Sequence, residues 1–137
     1  MSEPIFVDTN VFLRFFVADV EDLYEKAKDL FEKAEKGEIK LVTSEMVIAE
    51  IIWVLESYYA FLKEEVKDVI KSLLHTKGLK VMNANLIEEA IERYKDDNME
   101  FIDAYNGCLV KRRGYKRVAT FDKRHFKRLE GIEVVDM

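Results

Sequence analysis

Short β-rich segments alternate with helical patterns along the whole chain, and this alternation is the strongest constraint on its fold. The strand-like segments lie near residues 4–7, 40–43, 79–82, 117–120 and 132–135. Between them, apolar side chains recur at helical spacing. Parallel strands need long crossover connections, usually helices, so this order favours a parallel sheet. We therefore predict an α/β fold with a central parallel sheet of about five strands flanked by helices.

Length and composition favour one domain spanning residues 1–137. A chain of 137 residues, 49% of them hydrophobic, can bury one substantial core but is short for two. Its single cysteine, Cys108, lies in an apolar helical pattern and excludes an internal disulfide, which suits a reducing cytoplasm. Met1 to Pro4 lack a basic region followed by an apolar stretch, and no run is long enough to span a bilayer. We expect a soluble cytoplasmic protein in which Cys108 belongs to the core.

Two aspartates stand where a predicted strand ends. Asp8 follows the apolar run from Ile5 to Val7, which is expected to be a buried strand. Asp122 follows the strand-like residues 117–121 and precedes a short helix near residues 123–128. In open parallel sheets, ligands bind beyond the carboxyl ends of the strands, so both aspartates are candidate ligand residues. The alternative for Asp8 is a plain helix N-cap.

Glu50 lies in the middle of an apolar helical pattern over residues 44–59. At about 100° per residue, Glu45 and Glu56 fall within roughly 20° of each other and mark the expected solvent stripe. Glu50 is about 140° from Glu45, so we predict that it points away from solvent. A buried carboxylate needs a cation or a basic group beside it. A partly exposed position at the helix edge is the alternative.

Asp103 begins another helical pattern, which closes at Gly114. An acid near the start and bases near the end suit a helix without any further role, so a plain N-terminal helix acid is the alternative. Gly107 lies inside the same pattern, where glycine costs about 1 kcal/mol relative to alanine. Either tight helix packing or the close approach of a backbone or ligand would account for it.

The four acids share a chemistry if the fold brings them together. Carboxylate oxygens are the ligands that Mg²⁺ and Mn²⁺ prefer, whereas zinc sites favour Cys and His, of which this chain has one and two. Such ions activate water and stabilise a leaving oxygen, and this predicts phosphodiester cleavage. The four acids are Asp8, Glu50, Asp103 and Asp122.

Four short motifs, one around each acid, follow one another along almost the whole chain. They are Phe6-Val7-Asp8-Thr9-Asn10, Ser44 to Glu50, Phe101-Ile102-Asp103-Ala104, and Ala119-Thr120-Phe121-Asp122 followed by Phe126. Each is short, but in this order and spacing they resemble the PIN-domain ribonucleases, particularly the VapC-type toxins of toxin–antitoxin pairs. The resemblance implies a single-domain, three-layer PIN-like fold and a Mg²⁺- or Mn²⁺-dependent endoribonuclease that leaves a 3′-hydroxyl and a 5′-phosphate.

The resemblance also implies roles for individual residues and partners. Thr120 would support the acids, and Asn10 and Asn106 would have minor polar roles near the metal. RNA is the implied substrate, and the implied partners are a second copy of the chain and a small antitoxin whose tail covers or enters the active site. The implied catalytic and metal-binding acids are Asp8, Glu50, Asp103 and Asp122.

Basic residues concentrate near the C-terminus. Residues 111–128 contain nine Lys or Arg and one acid, although the whole chain has a net charge of −5. Such a segment can hold RNA phosphates, and Arg112, Lys123 and Arg124 are the candidates. A solvated surface or a docking site for an acidic partner are the alternatives. His125 lies beside these basic residues and could be a general acid or base, but metal-dependent nucleases do not require one. We expect His125 and His75 at the surface or at helix ends.

A cluster of aromatic residues bears on assembly. It exceeds what one small core obviously needs and suggests oligomerisation, although core packing is the default explanation. The cluster comprises Trp53, Tyr58, Tyr59 and Phe61.

Two other function classes remain open. A phosphotransfer protein would use Asp8 as a phosphate acceptor, but Asn10 stands where haloacid-dehalogenase-like enzymes place a second aspartate. A stable adduct with acetyl phosphate would favour that class. In a non-catalytic binding module, Asp8→Asn would leave any cellular effect intact.

Overall fold

The computed structural model describes residues 3–137 and contains a strand at each of the five predicted positions. The strands are short, at two or three residues each. They are β1 (Ile5–Phe6), β2 (Leu41–Thr43), β3 (Leu79–Val81), β4 (Arg117–Val118) and β5 (Glu133–Val134).

Every strand pair within the described residues is parallel, as predicted, but the hydrogen bonds divide the strands between two sheets. One sheet has the order β1-β2-β3, and β4 pairs with β5 in the other. Among residues 3–137, β1 therefore pairs with a strand on one side alone, namely β2. For this reason the prediction of a buried first strand was wrong for Ile5 and Phe6, which are 42% and 54% exposed, and correct for Val7.

Helices separate the strands, so the predicted alternating α/β organisation is confirmed. Within residues 3–137, no helix combines the length and apolar character needed to cross a membrane. The helices are α1 (Thr9–Val17), α2 (Glu21–Glu35), α3 (Glu45–Ser57), α4 (Lys63–Leu74), α5 (Ala84–Asp96), α6 (Phe101–Arg112) and α7 (Arg124–Lys127).

The apolar helix α3 lies at the centre of the core and packs against α1, α4 and α6. Ser44 caps its start by accepting a hydrogen bond from the Val47 N–H at 3.3 Å. Its inward side chains, including Ile48, Ile51 and Leu55, are fully buried. This packing fixes α3 relative to the helices that carry the other candidate residues.

Candidate metal centre

Asp8 stands between β1 and α1 and caps the helix. Its backbone is extended, with φ −86° and ψ 166°, and its carboxylate accepts a hydrogen bond from the Thr9 backbone N–H at 2.8 Å. This is the capping role that the sequence left as an alternative. Because the side chain is also exposed, capping occupies one oxygen and leaves the second accessible to a ligand.

Glu50 lies beside the start of α1, where its carboxylate accepts a hydrogen bond from the Thr9 hydroxyl. Thr9 is buried and directly follows Asp8, so this hydrogen bond connects Glu50 to the start of α1, where Asp8 is the cap. The prediction that Glu50 points away from solvent was wrong, since Glu50 is exposed. It shares its face with Met46 and Trp53, which are 75% and 66% exposed. The helix buries its other faces and exposes this partly apolar one.

A second polar contact joins α3 to α6. The half-buried Glu45 accepts a hydrogen bond from the Tyr105 hydroxyl at 2.9 Å and another from the Asn83 side chain. The bond from Asn83 is the main reason that the pKa of Glu45 is lowered, and burial with the bond to Glu45 raises the pKa of Tyr105 to about 12. Glu45 was expected on a solvent stripe and instead fixes the helix of Glu50 against the helix of Asp103.

Asp103 and Asp122 come together around a histidine. Asp103 lies in the first turn of α6, Asp122 in the loop before α7, and His125 on α7. The Nε2 atom of His125 is 3.8 Å from Asp103 Oδ1, and its Nδ1 atom is 3.9 Å from Asp122 Oδ2. One ligand atom from each of the three residues lies within 4.8 Å of the others. Among the described residues, these three side chains are spaced closely enough to bind one metal ion together.

The four predicted acids therefore appear as two groups. Asp8 and Glu50 are joined through Thr9, and Asp103 and Asp122 are joined around His125. Within residues 3–137, Asp8 and Glu50 do not belong to the closely spaced group of three.

Thr120 orders the loop that presents Asp122. Its hydroxyl accepts a hydrogen bond from the Asp122 N–H at 3.0 Å and lies 3.1 Å from the Asp122 carbonyl oxygen, to which it can donate. These contacts are with the backbone, so Thr120 affects the Asp122 carboxylate through the shape of the loop.

The remaining predicted polar residues differ in their surroundings. Arg112 is 3.2 Å from Glu89 and also donates to the Asn85 carbonyl, whereas Lys123 and Arg124 are exposed and form no ion pair with a described residue. Asn10 is exposed and lines a groove between α1 and α2. Asn106 is exposed on α6.

Sequence reasoning missed several residues at this site. Both histidines lie at a helix end, as predicted, but only His75 is at the surface, since the side chain of His125 is 12% exposed. Its closeness to Asp122 in sequence was an available indication, because the chain turns from the Asp122 loop directly into α7. Arg93 and Arg128 line a cavity of about 230 Å³ together with Asp103 and His125, and no local pattern marks either arginine.

The donor set suits a divalent cation. Carboxylate oxygens bind Mg²⁺ and Mn²⁺, and imidazole nitrogen binds transition-metal ions. The exposed Asp122 leaves this group open to solvent and to a large substrate. The geometry is therefore suited to metal-assisted chemistry on an accessible substrate.

Comparisons with known proteins show which proteins this chain resembles. Residues 5–132 match the model of the PIN domain. A VapC ribonuclease from Aquifex aeolicus (strain VF5) is 33% identical over 131 residues, which span 95% of this chain and 94% of that protein. Among solved structures, Mycobacterium tuberculosis VapC20, a sarcin-ricin loop cleaving toxin, is 21% identical. It aligns over 90% of this chain and 94% of its own, with a TM-score of 0.42.

Proposed function

Because this chain belongs to the PIN-domain family, we propose that it is a metal-dependent endoribonuclease and the toxin component of a toxin–antitoxin pair. The enzyme hydrolyses phosphodiester bonds in RNA. The observation that carries this conclusion is the match to the family over residues 5–132, a range that contains all four candidate acids. The relative that is 33% identical along nearly the whole chain is itself named a ribonuclease.

The proposed cofactor is a divalent cation, Mg²⁺ or Mn²⁺. Its proposed ligands are Asp8, Glu50, Asp103 and Asp122. When bound, such an ion activates water and stabilises the leaving oxygen of a phosphodiester.

The protein's own contribution is to position these side chains. Thr9 holds Glu50 beside Asp8, and Thr120 shapes the loop that carries Asp122. The Glu45–Tyr105 hydrogen bond holds α3 against α6. It therefore restrains the position of Glu50, on α3, relative to Asp103, on α6. This mechanism requires no nucleophile from the protein.

We assign RNA phosphate binding to the basic C-terminal segment, residues 111–128. Lys123 and Arg124 support this role because both are exposed, are next to Asp122 in sequence and have no ion-pair partner among the described residues. Arg112 is a weaker candidate, since Glu89 already neutralises it. Electrostatic contacts of this kind are independent of sequence and sensitive to salt.

The proposed partners are RNA, a cognate antitoxin and a second copy of the chain. The exposed Trp53 and Tyr58 support the homodimer, since large exposed aromatic side chains are typical of interface centres. Trp53 shares the α3 face with Glu50, so a partner on this face would lie next to the proposed site.

The test is a cleavage assay on a mixture of structured and single-stranded RNAs in Mg²⁺, in Mn²⁺ or with a chelator. Asp8→Asn and Asp103→Asn each remove a carboxylate from one of the two groups. Each should lower the cleavage rate by at least about 100-fold, because even outer-shell changes cost roughly 10–100-fold at metal sites. Chelation should have the same effect.

The matched control is Asp68→Asn, which removes an exposed carboxylate from α4 and should leave the rate unchanged. Cleavage that survives chelation, or that survives both site substitutions, contradicts the proposal. Loss of activity in one site variant alone would assign catalysis to that group of acids.

A further inference from the structure

His125 is held between two acids without a hydrogen bond to either. Its ring nitrogens lie 3.8 Å from Asp103 and 3.9 Å from Asp122, beyond the usual hydrogen-bond range. Its side chain is 12% exposed, compared with 60% for Asp122. A mostly buried imidazole facing two carboxylates at these distances has room for an ion between the groups.

The position of the ring is fixed by the packing of α7. The His125 ring lies against that of Phe126, with centroids 4.2 Å apart. Phe126 is buried, and Leu129, one turn on, is buried at the α6 surface near Gly107. A ring anchored in this way is available as a ligand without the entropic cost of ordering a free side chain.

The distances match those between two ligands of one ion. Ligand bonds of about 2.1 Å allow two donor atoms to be at most about 4.2 Å apart. The 3.8 Å between His125 Nε2 and Asp103 Oδ1 satisfies this limit. Asp122 Oδ2 is 3.9 Å from the same ring, at Nδ1, and one ligand atom from each of the three residues lies within 4.8 Å of the others.

Ligand type, and not net charge, distinguishes the two candidate ions at this site. Arg93 and Arg128 line the same cavity as Asp103 and His125, but Asp97 lines it too and is 3.6 Å from Arg93. Mg²⁺ and Mn²⁺ carry the same charge, so these groups affect both ions alike. An imidazole nitrogen binds transition-metal ions without adding charge.

We propose that His125 supplies a nitrogen ligand to the metal centre, beside Asp103 and Asp122, and that the centre therefore binds Mn²⁺ in preference to Mg²⁺. This inference rests on the proposed function. It adds a ligand of a different chemical type to the four acids and decides between the two ions.

Mn²⁺ is paramagnetic, so pulsed electron paramagnetic resonance of the full chain with Mn²⁺ and no RNA detects a coordinated nitrogen directly. The wild-type protein should show ¹⁴N modulation from a directly bound imidazole. His125→Gln should lose it, whereas His75→Gln, which alters the exposed histidine, should keep it. The Mn²⁺ affinity relative to Mg²⁺ should fall about tenfold in His125→Gln, as expected for a changed ligand environment.

His125→Asp separates ligation from folding, because it offers oxygen in place of nitrogen. It should bind Mn²⁺ without ¹⁴N modulation and with a reduced preference over Mg²⁺. No Mn²⁺ binding, bound Mn²⁺ without imidazole modulation in the wild type, or modulation that persists in His125→Gln would each overturn the inference. Metal-dependent cleavage by the wild-type protein alongside any of these results would leave the proposed function standing.

Discussion

Cys108 is kept as a neutral thiol by its position in α6. The residue is buried, and burial together with the negative charge of Glu89 raises the pKa of its thiol to about 11. A thiol with so high a pKa is a poor nucleophile near neutral pH. Cys108 is therefore unsuited to act as a nucleophile at neutral pH.

The first prediction concerns the reactivity of Cys108 and its effect on stability at alkaline pH. At pH 8 the native protein should react with a disulfide reagent at least tenfold more slowly than the protein unfolded in urea. Above pH 9 the unfolded chain loses the thiol proton while the folded chain retains it, so the free energy of unfolding should fall between about pH 9 and pH 11.

Urea denaturation of the wild type and of Cys108→Ala at pH 8 and pH 10.5 measures this contribution. The difference between the two proteins removes the effect of other groups that titrate in this range, such as Tyr105. Equal losses of stability in both proteins would contradict the assignment.

Individual side chains show where sequence reasoning reaches its limit. Asp8 could be identified because a strand end followed by a helix start is a local pattern, and the structure places it at that junction. The burial of Glu50 was mispredicted because Glu45 and Glu56 were taken to mark the solvent face, whereas the exposed face also carries Met46 and Trp53. The choice of buried face on an apolar helix depends on its neighbours in space.

At the scale of secondary-structure elements, Gly78 controls the junction of α2, β2 and β3. It has φ +86°, and its carbonyl accepts a hydrogen bond from the Leu41 N–H at 2.9 Å. A Cβ atom at this position would lie 2.4 Å from the Ala34 carbonyl oxygen. The glycine therefore allows both a left-handed turn and a close approach to α2.

The second prediction is that Gly78→Ala destabilises the protein more than Gly37→Ala. Both positions have left-handed φ values, so both variants carry that backbone strain. A Cβ at Gly37 meets no atom within 4 Å, whereas at Gly78 it must displace backbone. The additional loss should be about 1–3 kcal/mol, the usual cost of overpacking. Urea titrations of the two variants measure it, and indistinguishable midpoints would show that the contact can relax.

Element positions could be predicted more fully than element pairing. The five strands and the longer helices depend on local runs and periodicity, and these were visible in the sequence. The division into sheets of three and two strands depends on pairing between segments that are distant in sequence. Each segment has only two or three residues, too few for an alternating pattern that would indicate its partner. The contact of His125 with Asp103 likewise depends on how α7 packs against α6.

At the scale of the whole molecule, the exposed face of α3 bears on both the proposed homodimer and the proposed metal site. Met46, Glu50 and Trp53 lie on the same side of α3, so an apolar surface adjoins one of the proposed metal ligands. An interface here would exclude water from Glu50 and strengthen its electrostatic interactions, because exclusion of water lowers the local dielectric constant. Formation of the homodimer and completion of the site would then depend on the same surface.

Trp53 is the single tryptophan of the chain, so its fluorescence can report the proposed homodimer. It is 66% exposed, and in dilute protein its emission should resemble that of tryptophan in water and be quenched by acrylamide. On dimerisation the emission should shift to shorter wavelength and quenching should fall, in step with the mass measured by sedimentation.

Met46→Lys, which places a charge on the same face, should raise the dimer dissociation constant at least about tenfold, since a central interface residue commonly contributes more than 1.4 kcal/mol. The control is Tyr115→Lys, which changes an exposed aromatic residue before β4 and should leave the constant unaltered. A dimer whose Trp53 stays open to acrylamide would place the interface elsewhere, and a monomer at all concentrations would exclude the homodimer.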